Sequence, residues 1–145
     1  MKKLIGTLIA LSLALSCVVL TGCGASEPDT IKIGVIGPLT GENQLWGQIM
    51  VESVTLTVEQ YNEAGGLCGK QIELIEYDSR DDAVETTNAA RKAIQTDGIV
   101  AFIGTESSTT TLALAEVCEE YRVPFVCTQA TNIKITQNDD GTTRP

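Results

Sequence analysis

The chain has 145 residues, is 43% hydrophobic, and carries a formal charge of −9 with no histidine. That length fits about one globular domain, and the apolar content is too high for a disordered chain. An acidic chain without a basic patch excludes nucleic acid as a partner, and the lack of His removes the commonest general base and metal ligand.

Lys2 and Lys3 form a positive n-region, followed by an almost unbroken apolar run over residues 4–20. That run is about the upper limit for a signal-peptide core and slightly short for a membrane span. It ends in Leu20-Thr21-Gly22-Cys23, which resembles the lipobox of bacterial lipoproteins, in which the cysteine thiol is acylated. Residues 1–23 are therefore expected to be a lipoprotein signal peptide with Cys23 as the lipidation site, and residues 24–30 a short linker off the membrane. Loss of Lys2 and Lys3 lowers the net charge from −9 to −11. Cys68, Cys118 and Cys127 remain. An odd count leaves at least one thiol unpaired, and three scattered cysteines without C-x-x-C or His make no zinc site.

Residues 31–36 alternate briefly and then become fully apolar, as a central strand does. The turn-rich Gly37-Pro38-Leu39-Thr40-Gly41 follows. Glycines at 34, 37 and 41 do not have the G-x-G-x-x-G spacing that seats a pyrophosphate, so a dinucleotide cofactor is rejected. Residues 43–64 have helical spacing, with Met50, Val54, Val58 and Tyr61 as the expected buried stripe, and Gly65-Gly66 as the stop. Trp46, the only tryptophan, sits in the first turn beside the loop; core and ligand lid are both open readings for it.

Residues 71–77 form a second expected strand. The three carboxylates of Asp78-Ser79-Arg80-Asp81-Asp82 suit a strand-end loop and a helix N-terminus better than a Mg²⁺ site or a nucleophile. The helix after them places Ala83, Thr87, Ala90 and Ile94 on one face and closes at Asp97-Gly98. Residues 99–103 are a third strand, leading into Gly104-Thr105-Glu106 and five consecutive hydroxyl residues, 107–111. At a strand-to-helix junction such hydroxyls cap the helix or, with its unpaired N–H groups, bind an anion. Leu114, Val117, Cys118 and Tyr121 mark that helix's core face, which makes Cys118 an inert buried thiol. Residues 123–127 form a fourth strand with the loop Thr128-Gln129-Ala130-Thr131-Asn132 after it.

Strands alternating with helices predict an α/β fold: a parallel sheet with helices on both faces. Ligands bind such sheets outside the carboxyl ends of the strands. Residues 41–47, 105–109 and 128–131 converge on that edge.

Several segments resemble the branched-chain amino-acid-binding proteins of ABC transporters. They are Ile31-Lys32-Ile33-Gly34-Val35-Ile36-Gly37-Pro38-Leu39-Thr40-Gly41, Asn62-Glu63-Ala64-Gly65-Gly66-Leu67, Gly69-Lys70-Gln71-Ile72-Glu73-Leu74, Asn88-Ala89-Ala90-Arg91-Lys92, and Ala130-Thr131-Asn132 onward to Arg144-Pro145. The resemblance covers residues 31–145. It implies a two-lobed, hinged type I periplasmic-binding fold, of which this chain is expected to be an incomplete N-terminal lobe with the second lobe absent. It also implies that Ser108, flanked by Ser107 and Thr109, receives a ligand carboxylate. The α-ammonium falls to the loop Gln129, Ala130 and Thr131, through the Gln129 carbonyl and the Thr131 hydroxyl and amide. Trp46 takes the place of the family's first-helix aromatic. Glu106, beside the carboxylate site, would repel an anion if it turned inward.

The implied function is that of an extracytoplasmic, lipid-anchored solute-binding protein, not an enzyme. It would capture an amino acid of aliphatic or branched-chain type and deliver it to the permease of an ABC importer, without a cofactor or metal. A sensing receptor domain of the same fold is the alternative, as is a non-functional fragment. An enzyme built on Asp78, Asp81 and Asp82 lacks a histidine, a phosphate loop and a metal cluster to work with.

Overall fold

The computed structural model describes residues 30–144; the expected signal peptide, Cys23 and residues 24–29 of the linker lie outside them. Four strands, β1 (Thr30–Gly37), β2 (Gln71–Asp78), β3 (Ala101–Ile103) and β4 (Phe125–Val126), form one parallel sheet in the order β2-β1-β3-β4. Thr30, expected in the linker, opens β1 and pairs with Gln71. Three helices connect the strands: α1 (Gln44–Glu63), α2 (Ala83–Lys92) and α3 (Ser108–Tyr121).

Strand alternation sends successive side chains of β1 to opposite faces. Ile36 goes to one face with Tyr77 of β2 and Phe102 of β3. There they pack against Ala90 and Ala93 at the end of α2 and against Leu114, Val117 and Cys118 of α3. Phe102 is 1% exposed, and its ring lies over Gly34, where a Cβ would come within 2.7 Å of it. Burying such a ring stabilises by on the order of 2–3 kcal/mol. Ile33, Val35 and Gly37 take the other face, covered by α1 through Met50, Val54 and Val58. Helices therefore cover both faces, as the alternation of elements implies.

Local chemistry fixes the helix ends. The Asp82 carboxylate caps α2, accepting from the Val84 and Glu85 N–H groups at 2.8 and 2.9 Å. Arg91 and Lys92 occupy its last turn, complementing the dipole. At the far end of α1, the Asn62 amide accepts from the Ile72 N–H at 2.7 Å and donates to the Ile72 carbonyl at 2.8 Å. It thus pairs with the start of β2 as a neighbouring strand would.

Two expected faces are displaced. On α2 the fully buried positions are Thr86, Ala90 and Ala93, with Ala83, Thr87 and Ile94 flanking them. A π-turn over Ala93–Asp97 breaks the 3.6-residue phase before Ile94. On α1 only Met50 of the stripe is buried; Tyr61 is 51% exposed and borders an apolar groove of about 450 Å³ with Ile33, Ile72 and Ile103.

Candidate functional site

The carboxyl edge of the sheet is a set of loops stitched to one another. The Asp78 carboxylate at the end of β2 accepts from the Leu39 N–H at 2.9 Å and the Thr40 hydroxyl at 2.6 Å, fastening the β1–α1 loop. Burial opposes its ionisation, but these bonds and those from the Thr40 and Arg80 N–H groups hold its pKa below the usual aspartate value. Asp81 accepts from the Asn43 side chain at 2.7 Å. The three carboxylates of this loop thus serve as loop anchor, loop anchor and helix cap.

The hydroxyl run divides into two groups with different surroundings. Ser107 is the N-cap of α3: its Oγ accepts from the Thr110 N–H at 3.3 Å and lies 2.8 Å from the Thr110 hydroxyl. Thr110 and Thr111 are 0% exposed, and their hydroxyls lie 2.8 and 2.6 Å from Oγ1 of the equally buried Thr105. Ser108 and Thr109 are different. Among the described residues their hydroxyls have no hydrogen-bond partner, and their N–H groups, at the first turn of α3, have none either. Thr109 is exposed and Ser108 half-buried. Two hydroxyls and two N–H groups at the positive end of a 14-residue helix suit a carboxylate or similar anion.

The loop after β4 is tied to the same place. The Thr128 hydroxyl lies 3.4 Å from the Thr105 carbonyl and 3.6 Å from the Met50 sulfur, and donates to one or the other. The Cys127 thiol donates to the Ala130 carbonyl at 3.5 Å. Gln129 and Thr131 are exposed, Ala130 half-buried. Trp46 is 53% exposed in the first turn of α1, just ahead of Gly47. The helix turn presses so close to the loop there that a Gly47 Cβ would lie 2.2 Å from the Pro38 carbonyl oxygen. The structure therefore brings Trp46, residues 107–109 and residues 129–131 to one edge of the sheet.

Sequence reasoning placed Thr105 and Thr128 at this edge but missed that they hold it together, as it missed the loop-anchoring role of Asp78. It named Glu106 without its orientation. Both carboxyl oxygens of Glu106 are buried and without a hydrogen-bond partner from another residue; only its own N–H approaches them. Burial raises its pKa, and the charge of Asp81 adds to that. Cys118 is buried as expected, which pushes its thiol up to about 12 and leaves it unreactive. It borders a cavity of about 860 Å³ between the end of α3 and Arg144, which reaches the carboxyl edge only at Cys127. Among the described residues no group of three or more His, Cys, Asp and Glu could hold a metal ion.

A family model described as periplasmic binding protein matches residues 30–143. The chain belongs to that family. It is 32% identical over 108 residues to the leucine-, isoleucine-, valine-, threonine- and alanine-binding protein of Pseudomonas aeruginosa, a match covering 74% of this chain and 29% of that protein. Among solved structures it is similar to the branched-chain amino acid transporter substrate binding protein LivJ of Streptococcus pneumoniae, in complex with isoleucine. The identity is 28% and the TM-score 0.71, over 74% of this chain and 31% of that one. A solute binding protein of an ABC transporter from Rhodopseudomonas palustris, in complex with 3,4-dihydroxy benzoic acid, matches at 27% identity and a TM-score of 0.69, over 74% and 29% of the two chains. The fold is that of type I periplasmic binding proteins, and the chain spans about a third of the length of such relatives. The family is one of solute-binding proteins, not enzymes.

Proposed function

We propose that this chain forms the N-terminal ligand-binding portion of an exported solute-binding lipoprotein. It captures an aliphatic amino acid and hands it to the permease subunits of an ABC importer, held to the outer face of the membrane by a lipid on Cys23. The observation that carries this reading is the division of the hydroxyl run. Capping uses Ser107 and the buried network takes Thr110 and Thr111; Ser108 and Thr109 are left over, at the carboxyl edge, with unpaired N–H groups.

Ser108 and Thr109 receive the ligand carboxylate, with Ser107 holding the turn beneath them. Gln129, Ala130 and Thr131 offer a carbonyl and a hydroxyl to the α-ammonium, which needs acceptors only. Trp46 closes over the apolar side chain. The two liganded relatives support the carboxylate site in particular, because isoleucine and 3,4-dihydroxy benzoic acid have that group in common. The name of the P. aeruginosa relative supports an aliphatic side chain.

The test is Ser108→Ala in the full chain, titrated with L-leucine by calorimetry. Loss of one hydrogen bond to a charged group is expected to cost roughly 1–3 kcal/mol, a weakening of about tenfold or more. Unchanged affinity would place the carboxylate elsewhere.

A further inference from the structure

Among the described residues at this edge, Glu106 is an ionisable side chain that neither the ligand reading nor the anchoring of the loops uses. Its Oε2 lies 3.3 Å from the position a Gly37 Cβ would take, a point also 2.6 Å from the Met50 Cε and 3.6 Å from the Gly47 Cα. The carboxyl therefore points under the first turns of α1, between β1 and the α3 loop. Each of its oxygens is buried, so a ligand in the cleft does not touch it.

Among the described residues its neighbours offer no cation. Gly37 of β1 and Gly47 and Met50 of α1 are uncharged. The β2–α2 loop contributes Asp81, whose like charge disfavours ionisation of Glu106, while Arg80 is drawn to Asp78 at 4.0 Å. The β4 loop contributes the neutral Thr128 at Met50. α3 begins with uncharged hydroxyl residues. An ionised carboxylate here is shielded from bulk solvent and, among the described residues, has no counter-charge beside it, and a second anion two residues away at Ser108 would oppose it further.

We propose that Glu106 couples ligand capture to proton uptake: a carboxylate docks on the first turn of α3 when Glu106 is in its neutral, protonated form. This rests on the reading of Ser108 and Thr109 as the carboxylate site. The proton comes from solvent and stays on a Glu106 oxygen while the ligand is bound, and no bond of the ligand changes. Glu106 is a positioning residue, acting through charge and not through contact. Affinity then falls as pH rises through the titration of Glu106. With no histidine among these 145 residues, no imidazole titration is superimposed on it.

The experiment is calorimetric titration of the full chain with L-leucine from about pH 5 to about pH 7.5, in two buffers of different ionisation enthalpy. The wild-type chain is expected to lose affinity about tenfold across that range, the order expected of two neighbouring unit charges in partly screened surroundings, and to take up protons on binding. Glu106→Gln is expected to bind with a flat pH profile and no proton uptake. A ¹³C-carboxyl titration of Glu106 in the wild type covers the case in which the variant fails to fold: its midpoint is expected to rise when L-leucine is added. Leucine binding with no proton uptake and an unmoved midpoint overturns the proposal alone. Affinity that rises with pH and is lost in Glu106→Gln also overturns it, making Glu106 the partner of the ligand ammonium. No leucine binding by either protein at any pH overturns the amino-acid reading and the proton linkage with it.

Discussion

Thr111→Val separates the two halves of the hydroxyl run. The substitution keeps the shape and removes a hydroxyl that lies 2.6 Å from Thr105 Oγ1, 2.7 Å from the Ser107 carbonyl and 3.3 Å from the Thr105 carbonyl. None of these partners is orphaned by the change. Thr105 Oγ1 keeps Thr110 at 2.8 Å, and the Ser107 carbonyl keeps the Thr111 N–H at 3.0 Å and the Thr110 hydroxyl at 3.1 Å. The Thr105 carbonyl keeps two donors in reach, the Thr128 hydroxyl at 3.4 Å and the Cys127 thiol at 4.0 Å. The loss is then one or two net hydrogen bonds without a desolvation penalty, about 1–2 kcal/mol. For a domain of roughly 100 residues that corresponds to a fall in melting temperature of about 5–10 °C. Urea denaturation followed by circular dichroism measures it, with the slope expected to stay unchanged. Ser108→Ala, assayed alongside, is expected to leave the denaturation midpoint within about 0.5 kcal/mol of wild type, because it removes no intramolecular bond. If Ser108→Ala destabilises as much as Thr111→Val, the division of the run into scaffold and free donors is wrong.

Gly47→Ala reverses the usual helix preference. Alanine would be favoured by about 1 kcal/mol in an exposed helix, but its Cβ would meet the Pro38 backbone at 2.2 Å, so a net loss of about 1–3 kcal/mol is expected, with a shift in the emission of neighbouring Trp46. Asp78→Asn tests the loop anchor through pH. The wild-type carboxylate has a lowered pKa, so its stabilisation is present above the ordinary value of 3.8 and lost as pH falls below it. Thermal melts at pH 6 are expected to show the variant less stable by about 1 kcal/mol, and melts near pH 3 to show the gap closing.

Much of the fold was legible because its signals are local. Apolar runs bounded by Gly and Asp marked the strands, and the carboxylates of residues 78–82 marked a helix N-terminus, which Asp82 caps by chemistry that needs no tertiary context. The misplaced faces have tertiary or cooperative causes. Ile94 packs at the edge of the core, as its spacing implies, but the π-turn makes Ala93 the fully buried residue there. Tyr61 fits the α1 stripe by spacing, yet its turn lies over the open groove beside Ile72 and not against a closed core. β4 shrank to Phe125–Val126, although Pro124 continues the ladder by accepting from the Phe102 N–H at 3.0 Å. Within the site, a run of hydroxyls announces itself, but which members are consumed depends on Thr105, a residue with no signature of its own. The inward turn of Glu106 was not legible either, since a charged residue after a strand ordinarily faces water.

The electrostatics of the edge tie these features together. Asp78, Asp81, Asp82 and Glu106 lie around the ends of β2 and β3, and the nearby Arg80 leans on Asp78. Elsewhere, Arg91, Lys92, Lys134 and Arg144 are held in ion pairs with Glu120, Asp97, Asp139 and Glu119. Among the described residues an anion at Ser108 therefore meets no neighbouring cation, only helix N–H groups and hydroxyls. Such dipoles bind an anion well when fixed in place, and the Thr105–Thr110–Thr111 network fixes them. Their combined pull is small compared with that of a full charge at similar range. A site built from dipoles is thus sensitive to the charge of any group beside it, and Glu106 is the buried group placed there. The network supplies the geometry, and the protonation state of Glu106 sets how strongly that geometry can hold a carboxylate.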